Sequence, residues 1–139
     1  MGRIKSRDTV PELRVRRALH AAGLRFRLHA PELPGRPDIV FRSDRLALFV
    51  HGCFWHQHAD PTCKRARMPK SRLEFWGPKL AGNRGRDARN RAELETAGWT
   101  VMEIWECSLD EPGEITKIID EVRQARAREK LRKTKGLRA

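Results

Sequence analysis

Between positions 51 and 63 the chain collects three of its five histidines, two of its three cysteines and one of its four tryptophans. His51-Gly52-Cys53-Phe54-Trp55-His56-Gln57-His58 follows directly on an apolar run, and Cys63 lies just beyond it. Imidazole, thiolate and indole at the end of a buried strand pack poorly as a core and well as a site. Cys53, His58, Cys63 and the later Cys107 make up a Cys3His donor set, the composition of a closed, tetrahedral, structural zinc site. All three cysteines are used in this set, and Cys107 and Cys53 each follow a strand-like run. The other reading, with Cys107 a small buried apolar residue and Cys63 a loop thiol, stays open. His51 and His56 are left outside the zinc set. Hydrolysing a phosphodiester needs an activated water and stabilisation of charge at the phosphoryl oxygens. His56 is suited to take the proton from water and His51 to meet the phosphate.

Asp38 supplies the hard oxygen such chemistry needs. It leads the short apolar run Ile39-Val40-Phe41, and Ser43-Asp44-Arg45 then reverses the chain into Leu46-Ala47-Leu48-Phe49-Val50. Two strands joined this way bring Asp38 to the far end of the second, where His51 begins. A carboxylate there suits Mg2+, which keeps most of its waters and takes one or two protein carboxylates. Phe54 and Trp55 show no periodicity that would place them in a core, and apolar side chains on a basic protein can wedge between base pairs. Trp76, beside Lys79, joins them or packs in the core; Trp99 and Trp105 belong to the core around the last strand.

The elements that position these residues are legible in order. Residues 1–8 read as a flexible basic arm. Thr9-Val10-Pro11-Glu12 reads as a helix start, with Thr9 the N-cap and Glu12 completing a capping box. Val15, Ala18, Leu19 and Ala22 give that helix one apolar face, closed by Gly23. Leu24, Phe26 and Leu28 alternate with Arg25, Arg27 and His29, a half-exposed strand with His29 at the surface. Leu33-Pro34-Gly35-Arg36-Pro37 is a rigid turn. Ser71-Arg72-Leu73-Glu74 resembles a second capping box opening a long helix, which Gly77-Pro78 should kink or restart. Thr100–Trp105 is the last strand. Ile115, Ile118, Ile119 and Val122 form the stripe of a final helix, and residues 123–139 read as a basic tail, a solvated helix or disordered arm suited to backbone phosphate.

The chain has 139 residues, 30 Lys and Arg against 18 Asp and Glu, and a net charge of +12. That length suits one domain, 1–139, without disulfide staples. The charge points to a polyanion, most simply nucleic acid. Three irregularly spaced cysteines with no signal-like or membrane-length apolar segment favour metal binding in a reducing cytoplasm over a disulfide framework.

Leu33-Pro34-Gly35-Arg36-Pro37-Asp38, His51-Gly52-Cys53-Phe54-Trp55-His56, Glu74-Phe75-Trp76, Gly98-Trp99 and Trp105-Glu106-Cys107 together resemble the very-short-patch-repair (Vsr-type) DNA mismatch endonucleases, in order and register from about residue 5 to 110. The resemblance implies an α/β, restriction-endonuclease-like fold, a mixed sheet flanked by helices, with a structural zinc. It implies a Mg2+-dependent nick 5′ of the thymine in a T:G mismatch. By the same resemblance Asp38 is the metal-binding aspartate, His56 the catalytic histidine and His51 a second active-site histidine. Glu12 is the glutamate paired with the catalytic imidazole. Cys53, His58, Cys63 and Cys107 match the zinc ligands. Ala59-Asp60-Pro61-Thr62 lengthens the gap before Cys63, and Asp60 is a weaker oxygen alternative. Val50 stands where a hydroxyl residue can precede the histidine, which leaves its main-chain carbonyl to reach Mg2+. Phe54, Trp55 and Trp76 match the aromatic wedge, with Arg36 and Lys79 beside the DNA. The implied protein is a cytoplasmic monomer acting on mismatched duplex DNA, with mismatch-repair proteins as partners. Two rivals keep the same residues: a nicking enzyme of this fold with another target, and a zinc-stabilised DNA-binding module without activity.

Overall fold

A computed structural model describes residues 9–53, 63 and 72–134. The apolar runs that lack Gly and Pro pair into a four-stranded sheet of order β1-β2-β3-β4. The strands are β1 (Arg27–Leu28), β2 (Ile39–Phe41), β3 (Leu46–His51) and β4 (Thr100–Trp105). β1 and β2 are antiparallel, as are β2 and β3, while β3 and β4 run parallel. Three helices accompany the sheet: α1 (Val10–Ala21), α2 (Leu73–Thr96) and α3 (Glu114–Thr134). A parallel pair needs a long crossover, and α2 lies within the one that joins β3 to β4.

Strand alternation sends the side chains of β3 into two cores. Leu46, Leu48 and Val50 pack with Ile39, Phe41 and Ile104 against Val15 and Leu19 of α1 and Ile118, Val122 and Ala125 of α3. Ala47 and Phe49 pack with Val40 and Val101 against Leu94 of α2. The result is a mixed sheet between helices, as expected. Each fully buried leucine in these cores contributes about 1.5–3 kcal/mol.

The start of α1 follows the sequence: Thr9 caps it, its Oγ1 accepting from the Glu12 N–H at 3.4 Å, with Pro11 in the first turn. The start of α2 does not. Arg72, at φ +57, precedes the helix without a side-chain cap. Its main-chain carbonyl accepts the first helical bonds, from the N–H groups of Phe75 and Trp76, each at 3.0 Å. Nor does Gly77-Pro78 restart the helix, which is continuous from Leu73 to Thr96. Proline removes one N–H near the first turns, and the later hydrogen bonds carry the helix past it.

Of the two forms expected for the basic stretch after Val122, a solvated helix or a disordered arm, it takes the helix, with part of one face buried. α3 continues to Thr134, with Ala125 and Glu129 buried. Positions 118, 122, 125 and 129 keep helical spacing, so the buried stripe runs on beneath a charged surface. The Arg126 Nε donates to the buried Asp44 carboxylate at 2.7 Å, and its guanidinium lies 5.0 Å from the centre of the Phe41 ring. Arg123 donates to the Ala22 carbonyl, and Lys133 to the Ser43 carbonyl. Arg126 and Lys133 thus clamp the β2–β3 turn, and Arg123 ties α3 to the end of α1. Residues 135–139 lie outside the described part, as does the expected arm at 1–8.

Asp44→Ala leaves Arg126 without its carboxylate and the turn without its clamp. It should lower unfolding free energy by about 2–3 kcal/mol, measured by urea denaturation with an unchanged m-value. A change below about 0.5 kcal/mol would show that the ion pair is not what seats α3.

Candidate active site

Three side chains from three elements meet beside the end of β3. Glu12 lies on the buried stripe of α1, on the same face as Val15 and Leu19, and is 1% exposed. His29 follows β1, and Asp38 immediately precedes β2. One ligand atom from each of Glu12, His29 and Asp38 lies within 4.8 Å of the others.

The backbone explains the meeting. The β1–β2 pairing extends past Leu28↔Ile39 through a bond from the His29 N–H to the Asp38 carbonyl at 3.1 Å. On the other side, the Asp38 N–H donates to the Leu48 carbonyl at 3.0 Å, and the Asp38 Oδ2 accepts from the Val50 N–H at 2.7 Å. Asp38 is thus held from both neighbouring strands. His29, expected at the surface, is half-buried with its Nε2 at 2.7 Å from Glu12 Oε2. Extended alternation would have grouped it with Arg25 and Arg27. Its left-handed backbone, φ +47, breaks that alternation. Arg16 also reaches Glu12 Oε2, at 3.1 Å.

Burial is the main cause that pushes the Asp38 carboxyl from its ordinary 3.8 up to about 7. The nearby Glu12 adds to the rise, while the Val50 N–H and His29 oppose it.

His51 is placed elsewhere on the strand end. It is buried, with Nε2 at 2.9 Å from Glu103 Oε2 and its ring 4.8 Å from that of Trp105. Glu103 also pairs with Arg91 of α2. The His51 hydrogen bond is the main cause holding the Glu103 carboxyl below its ordinary range. His51 faces β4 and α2, and is not gathered with Glu12, His29 and Asp38.

The parallel register assembles the cysteines. His51 pairs with Trp105, so Cys53 and Cys107 each lie two residues past the same rung. Cys63 joins them, and the three sulfurs lie within 4.8 Å of one another. The Cys53 N–H donates to Glu106 Oε1 at 3.2 Å. Burial pushes the Cys53 thiol up to about 12. Clustered thiols become thiolates together only around a cation, so this group could hold a metal. His58, the expected fourth ligand, lies outside the described residues, as do Asp60, His56, Phe54 and Trp55.

Around the site, Arg36 is exposed on the turn before Asp38. Trp76 is half-buried at the start of α2, and its neighbour Phe75 is the exposed ring, 44% accessible. Arg72 and Lys79 both lie over the Phe75 face, at 4.7 and 5.9 Å from its centre. Among the described residues no helix is long and apolar enough to cross a membrane.

Comparison with known proteins places this geometry. A family model described as DNA mismatch endonuclease Vsr matches residues 1–64. The chain is 52% identical over 113 residues to the type II nicking enzyme V.XorIIP of Xanthomonas oryzae pv. oryzae, covering 81% of each. It is 43% identical over 109 residues to the DNA mismatch endonuclease Vsr of Escherichia coli, covering 78% of this chain and 68% of that one. The chain belongs to the Vsr family. The fold of this Vsr-family chain also resembles the catalytic domain of the homing endonuclease I-Bth0305I. That match has a TM-score of 0.56 and 18% identity, and covers 88% of this chain and 98% of the other. An endonuclease-like fold is therefore shared well beyond the family.

The raised Asp38 carboxyl has a testable consequence for the metal-free Vsr-family chain. The folded state holds this proton more tightly than the unfolded state. The group's contribution to stability is therefore full below about pH 4 and lost as pH rises through about 7. Asp38→Asn keeps an acceptor for the Val50 N–H and removes the charge. In the presence of chelator it should raise Tm by several degrees at pH 8 and by much less at pH 4.5. An equal shift at both pH values would assign the effect to packing.

Proposed function

We propose that this chain is a Mg2+-dependent DNA endonuclease that nicks one strand of duplex DNA 5′ of the thymine in a T:G mismatch. The grouping of Glu12, His29 and Asp38 beside the end of β3 carries this reading, in a chain related to a DNA mismatch endonuclease across most of its length.

The site fits a divalent cation: a buried and a half-buried carboxylate bring negative charge together with little solvent to disperse it. Asp38 and the main-chain carbonyl of Val50 would hold Mg2+. When bound, the cation neutralises charge on the phosphoryl oxygens and acidifies a water. The chain's own residues do the rest. The Val50 N–H aims the Asp38 carboxylate, and the burial that makes its charge costly would be offset by a cation paired with it. His56, steadied by Glu12, accepts the proton of the attacking water. His51, bonded to Glu103, would assist at the phosphate. Phe54, Trp55 and Trp76 open the base stack, and Arg36 and Lys79 meet phosphates. Cys53, Cys63 and Cys107 with His58 would hold a structural zinc that ties the end of β3 to the end of β4. The protein acts as a cytoplasmic monomer, with mismatch-repair proteins as partners.

The printed name of V.XorIIP, a type II nicking enzyme, favours a second reading in which the same chemistry serves another target. End-labelled duplexes, one with a T:G pair and one fully paired, separate the two. A Mg2+-dependent nick 5′ of the mismatched thymine, absent from paired DNA, is the expected result. Cutting of both duplexes would discard mismatch specificity. Asp38→Ala should reduce the nicking rate roughly a thousandfold or more, by removing a metal ligand worth several kcal/mol, while duplex binding is retained. Nicking at the unaltered rate would refute the metal role of Asp38.

For the cysteine cluster, metal analysis should find about one zinc per chain, lost in Cys107→Ser. Its removal by chelator should lower Tm by several degrees. An unchanged melt after verified zinc loss would remove the structural role.

A further inference from the structure

Asp38 and the Val50 carbonyl alone would give the proposed cation a pure oxygen set. The structure puts an imidazole into the same site. His29 Nε2 is 2.7 Å from Glu12 Oε2, and both belong to the group that includes an Asp38 oxygen within 4.8 Å. Neighbouring ligands of a six-coordinate ion with bonds of about 2.1 Å stand roughly 3 Å apart, so a cation can take the place of the proton between imidazole and carboxylate with small movement. Nor is His29 a loose surface side chain brought in by chance. Its N–H is bonded to the Asp38 carbonyl at 3.1 Å, which ties the imidazole's backbone to that of the metal-binding aspartate. Arg16, one turn on in α1, also reaches Glu12, at 3.1 Å.

We propose that His29 is a protein ligand of the site cation, completing with Glu12 and Asp38 a mixed nitrogen and oxygen site that takes Mn2+ in preference to Mg2+. The inference rests on the reading that Asp38 binds a divalent cation. Its chemistry is that of ligand type. Carboxylate and water suit Mg2+ and Mn2+ alike, whereas an imidazole nitrogen suits the first-row transition ions and adds little for Mg2+. A site that contains His29 discriminates between the two ions; one built from Asp38 and a carbonyl alone has far less means to do so.

The test needs no DNA and no turnover. Mn2+ is titrated into the full-length protein and followed by its electron paramagnetic resonance signal, with Mg2+ as competitor, and the bound ion is examined for magnetic coupling to nitrogen. The unaltered protein should bind Mn2+ at least tenfold more tightly than Mg2+ and show nitrogen coupling. His29→Gln, which retains a polar side chain beside Glu12, should lose the nitrogen coupling and weaken Mn2+ tenfold or more, with Mg2+ changed by less than about threefold. Asp38→Asn should weaken both ions. Bound Mn2+ without nitrogen coupling in the unaltered protein would overturn the proposal with no variant required. So would coupling and affinity that persist in His29→Gln while Asp38→Asn loses both ions, and in that case the Asp38 site itself stands. Mn2+ binding unaffected by Asp38→Asn would instead bring down the underlying metal-site reading. His29→Asn, better suited to a left-handed backbone, serves as the second variant if the glutamine form unfolds.

Discussion

The bond from the Val50 N–H to the Asp38 carboxylate is the constraint on which the site depends. It joins the start of β2 to the end of β3, and it occurs where the ladder between those strands runs out. Backbone groups at a strand end need partners as much as those within it. Here a side chain supplies one, and a carboxylate is thereby aimed at the edge of the sheet. β1 then brings His29 to the Asp38 carbonyl, and α1 lowers Glu12 onto the same end.

The central position of β3 turns this local device into two adjacent centres. Its antiparallel neighbour begins where β3 ends, and its parallel neighbour ends where β3 ends. The first relation gives Asp38 beside Val50; the second gives Cys107 beside Cys53. His51 lies between them, on the rung with Trp105, its imidazole bonded to Glu103. An oxygen-rich group and a sulfur-rich group are thus built from one strand terminus, which keeps hard and soft donors apart in one small fold. Both groups are costly without a cation. Burial raises the Asp38 carboxyl and the Cys53 thiol, so each favours the form that carries no charge until one is brought to it.

Charge on the far side of the molecule is used differently. Arg123, Arg126 and Lys133 were expected in a tail reaching for phosphate, and they instead hold the Ala22 carbonyl, Asp44 and the Ser43 carbonyl. A long basic side chain can lie along an apolar surface and still place its head on a carboxylate or carbonyl. High net charge therefore overstates the number of cations left for a polyanion.

Much was determined by the sequence itself. Apolar periodicity marked the three helices and the strands at 39–41, 46–51 and 100–105, because burial of a periodic stripe is a local property of residue order. Thr9 marked the start of α1, since its hydroxyl and the N–H it caps are three residues apart. Motif order alone pointed to the Vsr family, and the hairpin from Asp38 to Val50 followed from one turn. What the sequence could not reveal lay in contacts between distant elements. His29 looked exposed because alternation predicts a face only while the backbone stays extended, and one left-handed residue ended it. Glu12 looked like a cap, although its N–H is capped by Thr9 and its carboxylate lies on the buried stripe. α2 begins after a left-handed Arg72 that supplies no side-chain cap, which a local capping pattern does not foresee. The basic residues of α3 found partners 82 and 90 positions away, at the buried Asp44 carboxylate and the exposed Ser43 carbonyl. Local order specifies which residues want to be buried; only the packed chain decides what each polar group finds there.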